Sequence, residues 1–164
     1  MDIGEVVLYA GNGVCEVAEI TDMDFGSGNE KYYVLKPVFS KSNTFFIPAG
    51  NENMLAKIRR ILTKEEIDKT IAALDKEENI WIDDEVSRKA EYKRILNSGN
   101  CLDIIRMIHA LYLHREKLKN SGKRLHLFDE HTLKDAENIL YDEFSYSLGI
   151  EKESVPEYIS GHLN

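Results

Sequence analysis

Two cysteines, three prolines and one tryptophan are all that this chain of 164 residues carries of these types. Cys15 and Cys101 lie far apart, and neither sits in a CxxC pair or a His-Cys metal spacing, so neither a disulfide framework nor a thiolate metal site is expected. Packed free thiols in a reducing compartment are the simpler reading. No apolar run approaches the roughly 20 residues that span a bilayer. The N-terminus, with Asp2 and Glu5, also lacks a basic n-region. The expected location is the cytoplasm, without membrane contact.

Catalytic signatures are missing as well. The histidines His109, His114, His126, His131 and His162 form no HExxH or other ligand spacing. His109 and His114 project to different faces of a helix. The turns Gly11-Asn12-Gly13 and Gly26-Ser27-Gly28 lead into strands, so they lack the helix dipole that makes a phosphate loop. There is no serine or cysteine nucleophile motif, and Asp129, Glu130, Asp135, Glu137, Asp142 and Glu143 read as the polar side of one helix. No enzyme, cofactor or metal is expected.

What is present begins with two alternating apolar runs, residues 3–10 and 13–20, hinged on Gly11-Asn12-Gly13. Alternation sends Val6 and Leu8 to one face and Val7 and Tyr9 to the other, and the two glycines allow the positive φ of a tight hairpin. Lys31-Tyr32-Tyr33-Val34-Leu35-Lys36 and Thr44-Phe45-Phe46-Ile47 read as further strands, separated by the turns 26–29 and 40–43, and Pro48 ends the second. A short strand at Ile58-Arg59-Arg60-Ile61 would complete a five-stranded barrel, a closure that removes free edges.

From Thr63 the period turns helical. Thr63-Lys64-Glu65-Glu66 fits a capping box, followed by Ile67, Thr70, Ile71 and Leu74. Asp83 or Asp84 caps a second helix that stops at Ser98-Gly99, and Asn100 starts a third with Cys101, Ile104, Ile105, Ile108, Leu111 and Tyr112 as its apolar stripe. Asp129 or Thr132 begins a fourth, lined by Leu133, Ala136, Leu140, Phe144 and Leu148, and Pro156 suits the first turn of a short last helix. The expected fold is therefore α+β: an N-terminal five-stranded antiparallel Tudor-like β-barrel, then an all-α C-terminal helical bundle. The expected domains are residues 1–54 and 55–164, joined through a short connection near residues 50–62.

The net charge of −8 argues, taken whole, against a nucleic-acid binder. Its distribution does not. Residues 1–54, 55–86 and 125–164 carry −5, −3 and −7, whereas residues 87–124 carry +7. That island holds Arg88, Lys89, Lys93, Arg94, Arg106, Arg115, Lys117, Lys119, Lys123 and Arg124 against Glu91, Asp103 and Glu116. It is either the solvated side of two helices or a phosphate-tracking surface. On a helical wheel Arg88 shares the stripe of Tyr92 and Ile95, so its stem lies on the core, with Glu137 as the expected partner, while Lys89 and Lys93 project outward.

A second binding surface follows from strand alternation. Phe45 and Ile47 enter the barrel only if Thr44 and Phe46 face out, which leaves Phe46 as an exposed aromatic beside Pro48. It is either a hot spot for pairing with a partner or a residue covered by the helical half.

Read as a string, the opening hairpin resembles the CarD/CdnL family of bacterial transcription regulators, whose N-terminal domain is shared with transcription-repair coupling factors. The resemblance extends to Tyr32–Lys36, Phe45, Ile47 and Pro48, Ser98-Gly99-Asn100, Asp135-Ala136-Glu137 and Leu140. It implies that the barrel edge docks on the lobe of the RNA polymerase β subunit, through Met23, Thr44, Phe46 and Pro48. Met23 and Phe46 stand where some members carry arginines, so apolar contact replaces charge pairing.

The same resemblance implies that the helical half binds promoter DNA just upstream of the melted region, with a tryptophan wedged at the minor groove and cations on phosphates. The implied DNA-contacting set is Trp81, Arg88, Lys89, Lys93, Arg94, Lys123 and Arg124. Family spacing, however, puts Glu85 at the wedge position, so Trp81 is either a wedge on a longer extension or core. The expected protein is a monomeric regulator that stabilises the open promoter complex and binds free DNA weakly. The alternative is an adaptor that binds polymerase or another acidic partner and never touches DNA.

Overall fold

The computed structural model describes residues 1–41 and 43–163. Ser42, inside the turn expected at 40–43, lies outside the described residues. The chain forms two compact units, Met1–Ile61 and Leu62–Asn164. Residues 55–61, assigned from the sequence to the helical half, belong to the first unit because the last strand completes the sheet.

The first unit is an antiparallel sheet of β1 (Val6–Tyr9), β2 (Gly13–Asp24), β3 (Asn29–Pro37), β4 (Phe45–Pro48) and β5 (Ile58–Arg60), in the spatial order β4-β3-β2-β1-β5. The expected barrel does not close: no ladder joins β4 to β5 among the described residues. β4 is only four residues long and ends at Pro48, which has no N–H to donate. The chain then turns into α1 (Glu52–Leu55), a single helical turn that the sequence pattern did not suggest, capped by the Asn51 side chain on the Met54 N–H at 3.1 Å. β5 returns against β1, with Val7, Leu8 and Tyr9 opposite Arg60, Arg59 and Ile58. Gly11 and Gly13 hold φ of 79° and 94° at the β1–β2 turn, as the hairpin requires.

The core face of this sheet buries Val7, Tyr9, Cys15, Val17, Leu35 and Ile47, flanked by Ile20, Tyr33 and Phe45. A bulge between Val17 and Glu19 resets the alternation of β2. Beyond it Ile20 opposes Tyr33 toward the core, while Glu19, Thr21 and Met23 fall on the other face.

The second unit consists of α2 (Lys64–Ala72), α3 (Glu85–Ser98), α4 (Cys101–Asn120), α5 (Leu127–Leu148) and, after a 3-10 turn at Lys152–Ser154, α6 (Val155–His162). The Thr63 capping box forms with Glu66, Asp84 caps α3 through the Ser87 N–H, and Asn100 caps α4 through the Asp103 N–H. Gly99, at φ 65°, ends α3 in the left-handed conformation. The core gathers Ile67, Ile71, Tyr92, Ile95, Ile104, Met107, Ile108, Leu111, Leu133, Leu140 and Phe144 from α2 to α5.

At the entrance to this unit, Glu143 accepts the Leu62 N–H at 3.0 Å and the Ser147 hydroxyl donates to the Leu62 carbonyl. No helix of the described residues is long and apolar enough to cross a membrane. One expectation is corrected: α5 starts at Leu127, with His126 at its cap position and no side-chain cap, and not at Asp129 or Thr132. Asp129 is spent elsewhere.

Candidate functional site

Two surfaces carry the residues singled out from the sequence, one on each unit. On the sheet, the register places Val34 opposite Phe46 and Tyr32 opposite Pro48, and across β3 the same face takes in Glu19, Thr21 and Met23. Thr44 precedes β4 with the same parity. Of the four residues expected to meet polymerase, Met23, Phe46 and Pro48 therefore share one face, opposite the core, and Thr44 is exposed just before β4.

Phe46 is 40% exposed while Ile47 beside it is fully buried, as the alternation requires. β4 is also an edge strand, with nothing paired to its outer side among the described residues. Unsatisfied backbone groups along an edge, next to an exposed aromatic, are what strand addition by a partner uses.

A further member of this surface is not among the residues expected from the sequence. Phe25, 64% exposed, stands at the tip of the β2–β3 hairpin with its ring edge-on to Tyr32 at 5.1 Å and to Phe46 at 6.0 Å. The turn is held by Asp24, whose side chain accepts from the N–H groups of Gly26 at 2.8 Å and Gly28 at 3.2 Å. An aromatic followed directly by a glycine-rich tip, Asp24-Phe25-Gly26, is the signal that could have found it.

In the second unit the central feature is Arg88. Its Nε and Nη2 donate to the two carboxylate oxygens of Asp129, each at 3.0 Å, and Nη1 donates to the carbonyls of Ile82 and Asp83 at 3.0 and 3.2 Å. Arg88 is 3% exposed and Asp129 1%. The partner expected for Arg88, Glu137, instead accepts the Tyr112 hydroxyl at 2.5 Å. The reason is geometric: Glu137 lies eight residues beyond Asp129, about 12 Å along the helix, away from the first turn of α3. Buried, and with four of its five N–H groups donating inside the unit, Arg88 plays a structural role here.

Trp81 is half-buried and packs against the helical core. Its ring stacks on His114 at 3.6 Å and 11°, the Arg88 guanidinium lies 4.5 Å from its centroid, and its indole N–H donates to Asp83 at 3.0 Å. Burial, then the Arg88 charge, holds the His114 imidazole below its ordinary pKa.

The remaining cations fall into two groups. Lys89 pairs with Glu85 at 2.6 Å, Arg94 chelates Glu91 at 2.6 and 2.9 Å, and Arg106 meets Glu78 at 3.0 Å. Lys93, Lys117, Lys119, Lys123 and Arg124 are exposed and pair with no carboxylate among the described residues. No group of three or more histidine, cysteine or carboxylate side chains is placed to hold a metal among the described residues.

A small antiparallel sheet that presents an aromatic edge strand defines a protein-docking module. The sequence comparison names which one. Residues 1–62 match the family model of the CarD-like/TRCF RID domain, so the first unit is similar to an RNA polymerase-interacting domain. No curated protein matches the chain.

Proposed function

We propose that this chain is a non-enzymatic, cytoplasmic transcription regulator that acts as a monomer in two parts. The first unit docks on the β-subunit lobe of RNA polymerase through the β4 edge, with Met23, Thr44, Phe46 and Pro48 in the contact. The second unit holds promoter DNA beside the melted region and slows its reclosure. The observation that carries the DNA half is the exposed set Lys93, Lys117, Lys119, Lys123 and Arg124, which pairs with no carboxylate among the described residues, whereas Arg88, Lys89, Arg94 and Arg106 of the same basic block do. Lys89 and Arg94 complete the implied contact set and must exchange their carboxylate partners for phosphate.

Each phosphate contact releases counterions, so this binding weakens steeply with salt. The acidic remainder of the chain opposes DNA, and tethering to polymerase supplies the missing local concentration. The test is the lifetime of an open promoter complex after a competitor challenge, with and without the chain, together with a salt-dependent footprint. A longer lifetime and an extended upstream footprint support the reading. An unchanged footprint with retained polymerase capture would establish the protein-only adaptor instead.

A further inference from the structure

Helical cores pack about as densely as organic crystals and leave few voids. The second unit nevertheless keeps a cavity of about 270 Å³, bounded by the segment that follows α2, by α4, by the C-terminal half of α5 and by α6. Its wall is mainly apolar. Ile105, Ile108 and Leu140 are buried there, while Leu74, Ile159 and Leu163 are half-buried and pack against the same core. An unfilled apolar cavity forfeits contacts along its whole lining, so packing alone gives no reason to keep one.

The polar groups around this cavity limit what can enter it. Four charged residues border it, Asp75 and Glu78 against Lys76 and Arg106, so their formal charges cancel. Arg106 meets Glu78 at 3.0 Å and Asp103 at 3.7 Å, and His109 Nε2 donates to the Lys76 carbonyl at 3.2 Å, which fastens the segment after α2 to α4. A rim without net charge offers an ion no compensation for its lost hydration. Tyr112 and Tyr141 also line the cavity. The Tyr112 hydroxyl donates to Glu137 at 2.5 Å and lies 3.3 Å from the Tyr141 hydroxyl. Because the Tyr112 proton is committed to a carboxylate, the Tyr141 proton has only that long contact, and a better acceptor can take it. Burial, first among the causes, holds both phenols above the ordinary tyrosine pKa, so they remain donors at neutral pH.

We infer that this cavity binds a small uncharged amphiphile: an apolar body of about two rings carrying one hydrogen-bond acceptor for the Tyr141 hydroxyl. The size follows from the volume, since an apolar cavity of roughly 150 Å³ already admits benzene. It is too small for a helix or strand of a partner protein. An occupant touches Leu74 after α2, Ile108 on α4 and Ile159 on α6 at once. It therefore reinforces the hold on α6, which the Tyr158 hydroxyl ties to Asp68 of α2 at 2.5 Å. This site is separate from the polymerase and DNA contacts and depends on neither.

The test titrates the full chain with three probes of similar body: α-tetralone, a bicyclic ketone; tetralin, which lacks the acceptor; and α-naphthoate, an anion. Methyl NMR shifts follow the site and calorimetry gives the affinities. Saturable shifts at Leu74, Ile105, Ile108, Ile159 and Leu163 are expected with α-tetralone, together with slower amide exchange in α6. The anion should bind at least about tenfold more weakly, because its charge enters unmatched. Tyr141→Phe should weaken α-tetralone by about three- to tenfold, the scale of one hydrogen bond, and leave tetralin unchanged. Ile159→Trp, which fills the cavity from α6, should abolish binding of both; if that variant does not fold, Tyr141→Phe still decides. Absence of saturable shifts at these residues, or shifts scattered over the surface, would overturn the site. Tighter binding of α-naphthoate than of α-tetralone, or equal losses of tetralin and α-tetralone in Tyr141→Phe, would overturn the ligand class.

Discussion

Arg88 and Asp129 face each other through two parallel hydrogen bonds of 3.0 Å, both side chains buried, one in the first turn of α3 and one in the first turn of α5. Such a pair repays its desolvation only while both members are present. Arg88→Met is expected to cost about 3–5 kcal/mol in urea unfolding because it leaves a buried carboxylate alone. Asp129→Leu should cost a similar amount, and the double variant Arg88→Met/Asp129→Leu should recover most of it. Single variants as stable as the parent chain would show that the two charges are not coupled.

Phe46 supplies the second expectation. Phe46→Arg places a charge where an exposed aromatic leans on Phe25, and should weaken polymerase capture by about 2 kcal/mol, the scale of one aromatic hot spot. Phe25→Asp should weaken capture in the same direction, although Phe25 lies on no strand. The melting temperature should stay unchanged for both, since neither ring belongs to the core. Full capture by Phe46→Arg in a pull-down would place the polymerase contact elsewhere on the first unit.

The His114 imidazole gives a pH dependence with a definite sign. Its folded pKa lies below the ordinary value because burial and the Arg88 and Lys117 charges disfavour the cation, against the opposing pull of Asp129 and Asp83. The unfolded chain therefore binds the proton more readily, and stability present above the ordinary histidine value is lost as pH falls through it toward the folded value. Melting temperatures measured from neutral to mildly acidic pH should fall less steeply for His114→Phe, which keeps a ring against Trp81, than for the parent chain. Parallel slopes would mean that His114 does not contribute.

Thr63 tests a purely local device. Its side chain accepts the Glu66 N–H at 3.3 Å while Glu66 accepts the Thr63 N–H at 2.9 Å. Thr63→Ala should cost about 1 kcal/mol of stability by chemical unfolding and leave polymerase capture untouched.

The features that the sequence made legible are those written in a few adjacent residues. The Thr63 box and the Asn100 cap depend on side chains meeting backbone groups within a turn, and the Gly99 stop on a left-handed conformation that glycine adopts without strain. Strand alternation likewise sufficed to set Phe46 outside and Ile47 inside. Asp129 was misread for the opposite reason. A carboxylate near a helix start looks like a cap, and only the approach of α3 from 41 residues earlier shows that it serves Arg88 instead. Phe25, in a turn with no period of its own, carried only the cue of an aromatic before a glycine-rich tip, and its contacts with Tyr32 and Phe46 exist only once the hairpin has folded.

By itself, then, the sequence determined the two-part design, a β-module followed by helices with net positive charge only in the block of residues 87–124, because periodicity, caps and charge blocks are local properties. It also carried the match of residues 1–62 to the polymerase-interacting domain. Only the tertiary structure decided that the sheet stays open with β4 at its edge, that Arg88 is consumed by Asp129, and that Trp81 is held by His114 while Leu127 and Phe128 stand exposed. Those outcomes depend on which distant side chains meet, and pairings between distant residues are set by packing, which no single window of sequence records.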